Sequence, residues 1–157
     1  MTPRAIHYGF TQNFNVPAHK AFSWCTDFRP DDMALMQKEN ASRKIQRLAD
    51  DVIILVDTLV NEGKSVEKRK LVCLYPSRLT WTSTHLTGPN RYSQFVYEIT
   101  PQIADKSELK FTAMSLDYQV RDNDDLERRG EELKKMDSET WKLLAEEMEK
   151  DLNPKIK

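Results

Sequence analysis

The stretch from Asp122 to Leu152 limits what this chain can become. It holds no proline and a single glycine, Gly130, so nothing in its middle forces a break. Asp122 or Asn123 is placed to cap its start, with Asp124, Asp125 and Glu127 where a helix N-terminus favours negative charge. Asn153-Pro154 ends it. Asp124/Arg128, Asp125/Arg129, Glu131/Lys135 and Glu146/Lys150 sit four apart with the acid first, the better orientation. Leu126, Leu133, Met136, Thr140, Trp141, Leu144, Met148 and Leu152 recur at threes and fours and make one apolar stripe. A helix of about 30 residues is roughly 45 Å long, well beyond the average. Its stripe needs a partner surface of similar length.

The rest of the chain supplies strands. Ile6, Tyr8, Phe10 and Phe14 alternate with polar residues and Gly9, which predicts a half-buried strand. After Val16-Pro17, the face Ala18, Ala21, Phe22 and Cys25 predicts a short helix, with Trp24 beside it. Asp27-Phe28-Arg29-Pro30 breaks that helix, and Asp31-Asp32 opens a second short one through Met33 and Met36. Six strands follow. Ile45 to Leu48 is short and polar, and Asp50-Asp51 turns it. Val52 to Val60 is nearly continuous and β-branched, which reads as a central strand. Asn61-Glu62-Gly63-Lys64 is a hairpin turn leading to Val66–Tyr75. Pro76-Ser77 and Gly88-Pro89-Asn90 bound the alternating run Leu79, Trp81, Ser83, His85. Tyr92 to Thr100 and a last strand from Leu109 to about Tyr118 complete the set.

Short loops between successive strands make antiparallel neighbours. A seven-stranded antiparallel sheet curls through its own twist, and one face needs cover. The tail helix is the element long enough to give it. The expected fold is α+β: a curved seven-stranded sheet, two short helices after the first strand, and a long C-terminal helix across the concave face. At 157 residues, positions 1–157 are expected to form one domain.

With 39% hydrophobic and 31% charged residues, the chain reads as globular and soluble. A net charge of −1 lends no support to nucleic-acid binding. The charge is uneven: Asp122–Leu152 carries twelve acids and six bases, leaving 18 bases and 13 acids elsewhere. That pattern reads as a solvated helix face on a mildly basic body. Cys25 and Cys73 lack metal-type spacing and read as reduced residues of a cytoplasmic protein. Met-Thr-Pro-Arg-Ala has no apolar h-region and no apolar run approaches 18 residues, so no signal peptide or membrane insertion is expected; no cofactor or metal is expected either.

The segment Tyr8–Phe28, YGFTQNFNVPAHKAFSWCTDF, joins a strand ending at Val-Pro to a helix carrying Phe22 and Trp24 before Asp27-Phe28. With the long tail helix it resembles the helix-grip (START-like, SRPBCC) superfamily, which includes START domains, pathogenesis-related plant allergens and polyketide cyclases/aromatases. The resemblance spans nearly the whole chain. It implies a hydrophobic cavity between sheet and helix that takes lipids, sterols, polyketides or other apolar ligands. Some members catalyse cyclisation or hydroxylation, and a related branch activates a chaperone. Two departures matter. Gly63 stands alone, so the allergens' glycine-rich loop is missing. The ring-hydroxylating oxygenases need two His and a carboxylate, but His7, His19 and His85 lie on three separate elements.

Alternation places Leu79, Trp81, Ser83 and His85, Phe95, Tyr97 and Ile99, and Leu109, Phe111, Ala113 and Ser115 on the inward face, opposite Leu133, Trp141, Leu144 and Met148. The expected cavity residues are Trp81, Ser83, His85, Phe95, Tyr97, Phe111, Ala113, Ser115, Leu133, Trp141, Leu144 and Met148, with Phe28, Met33 and Met36 at its mouth. A filled core without a cavity is the plain alternative. His85 is a weak catalytic candidate, its ordinary pKa being near neutrality. No triad, Cys-His pair or paired carboxylate is arguable from position. Three functions follow in order: binding of a small apolar ligand, a cyclase/aromatase in which His85 or a Tyr moves a proton, and a chaperone-cofactor-like interaction protein whose partner is unknown.

Overall fold

The computed structural model describes residues 2–29, 31–32 and 41–153. Its strands are β1 (Arg4–Phe14), β2 (Ala41–Ala49), β3 (Val52–Asn61), β4 (Lys64–Tyr75), β5 (Thr80–His85), β6 (Gln94–Pro101) and β7 (Ser107–Asp117). They form one antiparallel sheet in the order β1-β7-β6-β5-β4-β3-β2. Six strands run as a meander, and the first strand closes on the last, with Tyr8 opposite Ala113 and Phe10 opposite Phe111. Helices α1 (Ala18–Cys25) and α2 (Asn123–Leu152) and a 3-10 turn at Pro76–Arg78 complete the described elements. Of the second short helix expected after β1, only Asp31-Asp32 falls among the described residues; Met33 and Met36 lie outside them.

Local chemistry sets the boundaries. Glu62 and Gly63 take φ of 51° and 76°, the two positive values a tight hairpin of matching twist requires. Leu79 also has positive φ (50°) after a 3-10 turn at Pro76–Arg78, so β5 starts at Thr80 and not at Leu79. Tyr92 (φ 69°) likewise precedes β6 instead of opening it.

Two strand readings are corrected. β3 is not central: it is one strand in from the edge formed by β2. Its apolar run hides an alternation, with Ile53, Leu55 and Asp57 buried and Val60 exposed. β2 is longer than Ile45–Leu48, because its polar residues follow the register of β3 and Arg43 turns inward opposite Asp57.

Asp122 caps α2, its carboxylate accepting from the Asp125 N–H at 2.8 Å. The surface ion pairs are not those foreseen. Arg128 bridges Asp125 at 3.1 Å and Glu132 at 2.8 Å, and Lys150 bridges Glu147 at 3.2 Å. Arg129 is drawn across to Asp117 at the end of β7, 3.6 Å away. α2 packs tightly on β1 at Gly130, where a Cβ would stand 3.1 Å from Ile6 Cγ2. Its C-terminal end is tied down by Trp24 Nε1, which donates to Asp151 at 2.9 Å, and by Asn153, which donates to the Asn15 carbonyl at 2.8 Å. There Phe14, Val16, Ala21, Leu109 and Met148 form a closed core.

Candidate ligand cavity

Inward residues of β5, β6 and β7 face α2 across a space of about 390 Å³. Its walls are aromatic because register stacks the rings. Trp81 lies opposite Tyr97 on the neighbouring strand, their rings 4.7 Å apart and 2° from parallel. Trp141 comes down from α2 to 6.3 Å from Trp81 and 5.7 Å from Tyr97, and Phe111 meets Tyr97 edge-on at 5.3 Å. Such offset and edge contacts favour a rigid wall. Met136, expected within the apolar stripe, is 54% exposed and stands at the rim.

No family model matches the chain, and no curated protein matches it by sequence. Solved structures do match. The Zhui aromatase/cyclase from a Streptomyces species superposes with a TM-score of 0.73 at 13% identity, over 96% of this chain and 98% of that one. Norcoclaurine synthase from Thalictrum flavum, in complex with dopamine and hydroxybenzaldehyde, gives 0.71 at 13% identity over 99% and 91%. A START superfamily protein from Mycobacterium smegmatis gives 0.66 at 17% identity over 94% and 97%. The chain has the helix-grip fold.

Within this helix-grip cavity, Trp81, Ser83, His85, Phe95, Tyr97, Phe111, Ser115, Leu133, Trp141 and Leu144 line the space, as does Phe28. Ala113 and Met148 do not. Ala113 is buried against Phe95 and Phe111, and Met148 fills the closed core at the C-terminal end of α2.

Charged groups that alternation did not single out line one corner of the same space. Asp57, 2% exposed, receives the fork of Arg43: Nε donates to Oδ1 at 2.7 Å and Nη2 to Oδ2 at 3.0 Å. Arg43 Nη1 also donates to Asp32 at 3.2 Å, and Lys70 Nζ lies 3.7 Å from Asp57. Burial, then the charge of Asp27, raises the Asp32 carboxyl to about 6. His85 faces this corner. Burial, then Lys70, lowers its pKa to about 4, so the ring is neutral at neutral pH. Its Nδ1 lies 3.2 Å from Asn90 Oδ1.

The opposite side holds a second polar pair. Tyr8 donates its hydroxyl to Asp137 of α2 at 2.5 Å. Burial, then that bond, pushes the Tyr8 pKa well above its ordinary value. Burial, then Asp137, does the same to Tyr97. Both phenols therefore stay protonated at neutral pH. The signal for these groups was faint: Asp57 shares parity with Ile53 and Leu55, and Lys68 and Lys70 share it with Val72. Among the described residues, no group of three or more His, Cys, Asp or Glu side chains is placed to hold a metal ion, and no helix is long and apolar enough to cross a membrane.

Proposed function

We propose that this protein binds a small hydrophobic ligand, a lipid, polyketide or aromatic compound, in the space between sheet and α2. One observation carries the reading: a gap of about 390 Å³ walled by Trp81, Tyr97, Phe95, Phe111 and Trp141. Ligand sites typically enclose about 300–1,000 Å³, mostly apolar, with a few polar groups that fix orientation. The fold shared with an aromatase/cyclase and with a synthase crystallised with two aromatic compounds supports it. The test is titration with the neutral fluorophore N-phenyl-1-naphthylamine, followed by displacement with fatty acids and fused-ring aromatics. Saturable binding is expected, and Leu144→Trp, which projects into the space, is expected to weaken it at least tenfold. A protein that enhances no probe fluorescence and is stabilised by no apolar compound would end this reading.

A second reading, an enzyme of cyclase/aromatase type in the same cavity, draws on His85 and on the Tyr8–Asp137 hydrogen bond. A neutral His85 offers a base, and Tyr8 offers a donor once its proton turns from Asp137 to the substrate. In that reading His85→Ala abolishes turnover of a poly-β-ketone mimic while the protein stays folded; unchanged turnover would remove His85 from the chemistry.

A further inference from the structure

The cavity is not uniformly apolar, and its charge has a sign. Cross-strand register assembles one corner from four strands: Lys68 pairs with Asp57 and Asp57 with Arg43, while in the next inward row Lys70 pairs with both His85 and Leu55. Lys68 and Lys70 therefore project on the same face, Lys68 directly across from the buried Asp57 and Lys70 one inward row along, opposite Leu55. All of these side chains, with Asp32, line the cavity. Three cations (Arg43, Lys68, Lys70) meet two carboxylates (Asp57, Asp32), and the neutral His85 adds no charge. Asp57 already receives both nitrogens of the Arg43 fork, and Arg43 also bonds Asp32. Among the described residues that line this corner, these five charged groups sum to +1 next to low-dielectric aromatic walls, where charge pairing is stronger than in water. Asp137, the third acid among the described lining residues, sits on α2 and is bonded to Tyr8 of β1, the strand at the far edge of the sheet.

Resting on the binding function proposed above, we infer that the ligand is an amphipathic monoanion: a planar aromatic body carrying one carboxylate or similar anionic head. The head lies at Lys68 and Lys70, and the body stacks along Phe95 and the Trp81–Tyr97 wall. A cationic head is disfavoured at this corner by like charge. A neutral head forgoes the charge-assisted bonds that this corner offers, which are about twice as strong as neutral ones.

Three probes of one shape test the sign: 2-naphthoate, 2-naphthylmethanol and 2-naphthylmethylamine, titrated calorimetrically into the intact protein at neutral pH. The naphthoate is expected to bind about tenfold tighter than the alcohol, and the amine weakest, as one charge-assisted contact implies. Raising the salt should narrow the gap between naphthoate and alcohol. Lys70→Met and, separately, Lys68→Met should each shrink the naphthoate-to-alcohol ratio several-fold. The second variant keeps the test valid if loss of the Lys70–Asp57 contact destabilises the first. Equal binding of naphthoate and alcohol, preference for the amine, or ratios unmoved in both variants would overturn the anionic head while leaving the cavity intact as a binding site. Failure of all three probes together with the neutral fluorophore would overturn both readings, whereas failure of the three naphthyl probes alone would overturn only the anionic aromatic ligand.

Discussion

Burial moves Asp32 and His85 in opposite directions through the same pH range. Asp32 rises from 3.8 to about 6, chiefly by burial and then by Asp27, with Arg43 and Arg29 acting against them. The folded protein then holds a proton between about pH 4 and 6 that the unfolded chain has released. Its stabilising contribution is present on the acid side and lost as pH rises through 6. His85 falls from 6.5 to about 4 through burial, Lys70 and Lys68, against Asn90 and Asp57. It refuses a proton that the unfolded chain takes up, so its contribution is present above 6.5 and lost as pH falls toward 4. The two slopes offset each other in the intact protein. In His85→Asn, denaturant midpoints should fall as pH is raised from 4 to 6. In Asp32→Asn they should fall as pH is lowered from 6.5 to 4. Each effect is at most about 3 kcal/mol. Parallel pH profiles in both variants and the parent protein would refute the opposition.

At the scale of elements, α2 depends on two local features with different physical roles. Asp122 supplies the missing acceptor for the first turn, and Asp122→Ala should cost about 1 kcal/mol. Gly130 gives up helix propensity so that the rod can lie against Ile6 of β1. Gly130→Leu should cost about 1–3 kcal/mol by overpacking and lower the melting temperature, with helix content by circular dichroism preserved. A stabilised Gly130→Leu would show that the close approach to β1 does not matter. The element list was largely legible because it rests on local periods, 3.6 for α2 and 2 for β1, β5, β6 and β7. The errors fell where local composition and position in the sheet part company. β3 looked central because its outward residues are also apolar, and β2 looked short because an edge strand needs few apolar residues.

For the whole molecule, Arg43 holds three separate segments together: β2 carries it, β3 supplies Asp57, and the turn after α1 supplies Asp32. Arg43→Met should cost about 3–5 kcal/mol, since it strips the buried Asp57 of its fork and leaves Lys70 at 3.7 Å. Adding Asp57→Leu should restore a large part of that loss, which chemical denaturation of the single and double variants will show. Additive losses would mean that the two side chains are not energetically coupled. The sequence alone determined the long rod, the antiparallel meander and the parity that turns Trp81, Phe95, Tyr97 and Phe111 inward, because each depends on spacing between near neighbours. Tertiary structure decided the rest: a charged corner built from Asp32, Arg43, Asp57, Lys68 and Lys70 inside an aromatic cavity. Nothing local marks an aspartate at an inward position as satisfied or misplaced. Only the register of β2 on β3 and β3 on β4 brings its partners within bonding distance, and that register is set by the fold and not by the run of residues around it.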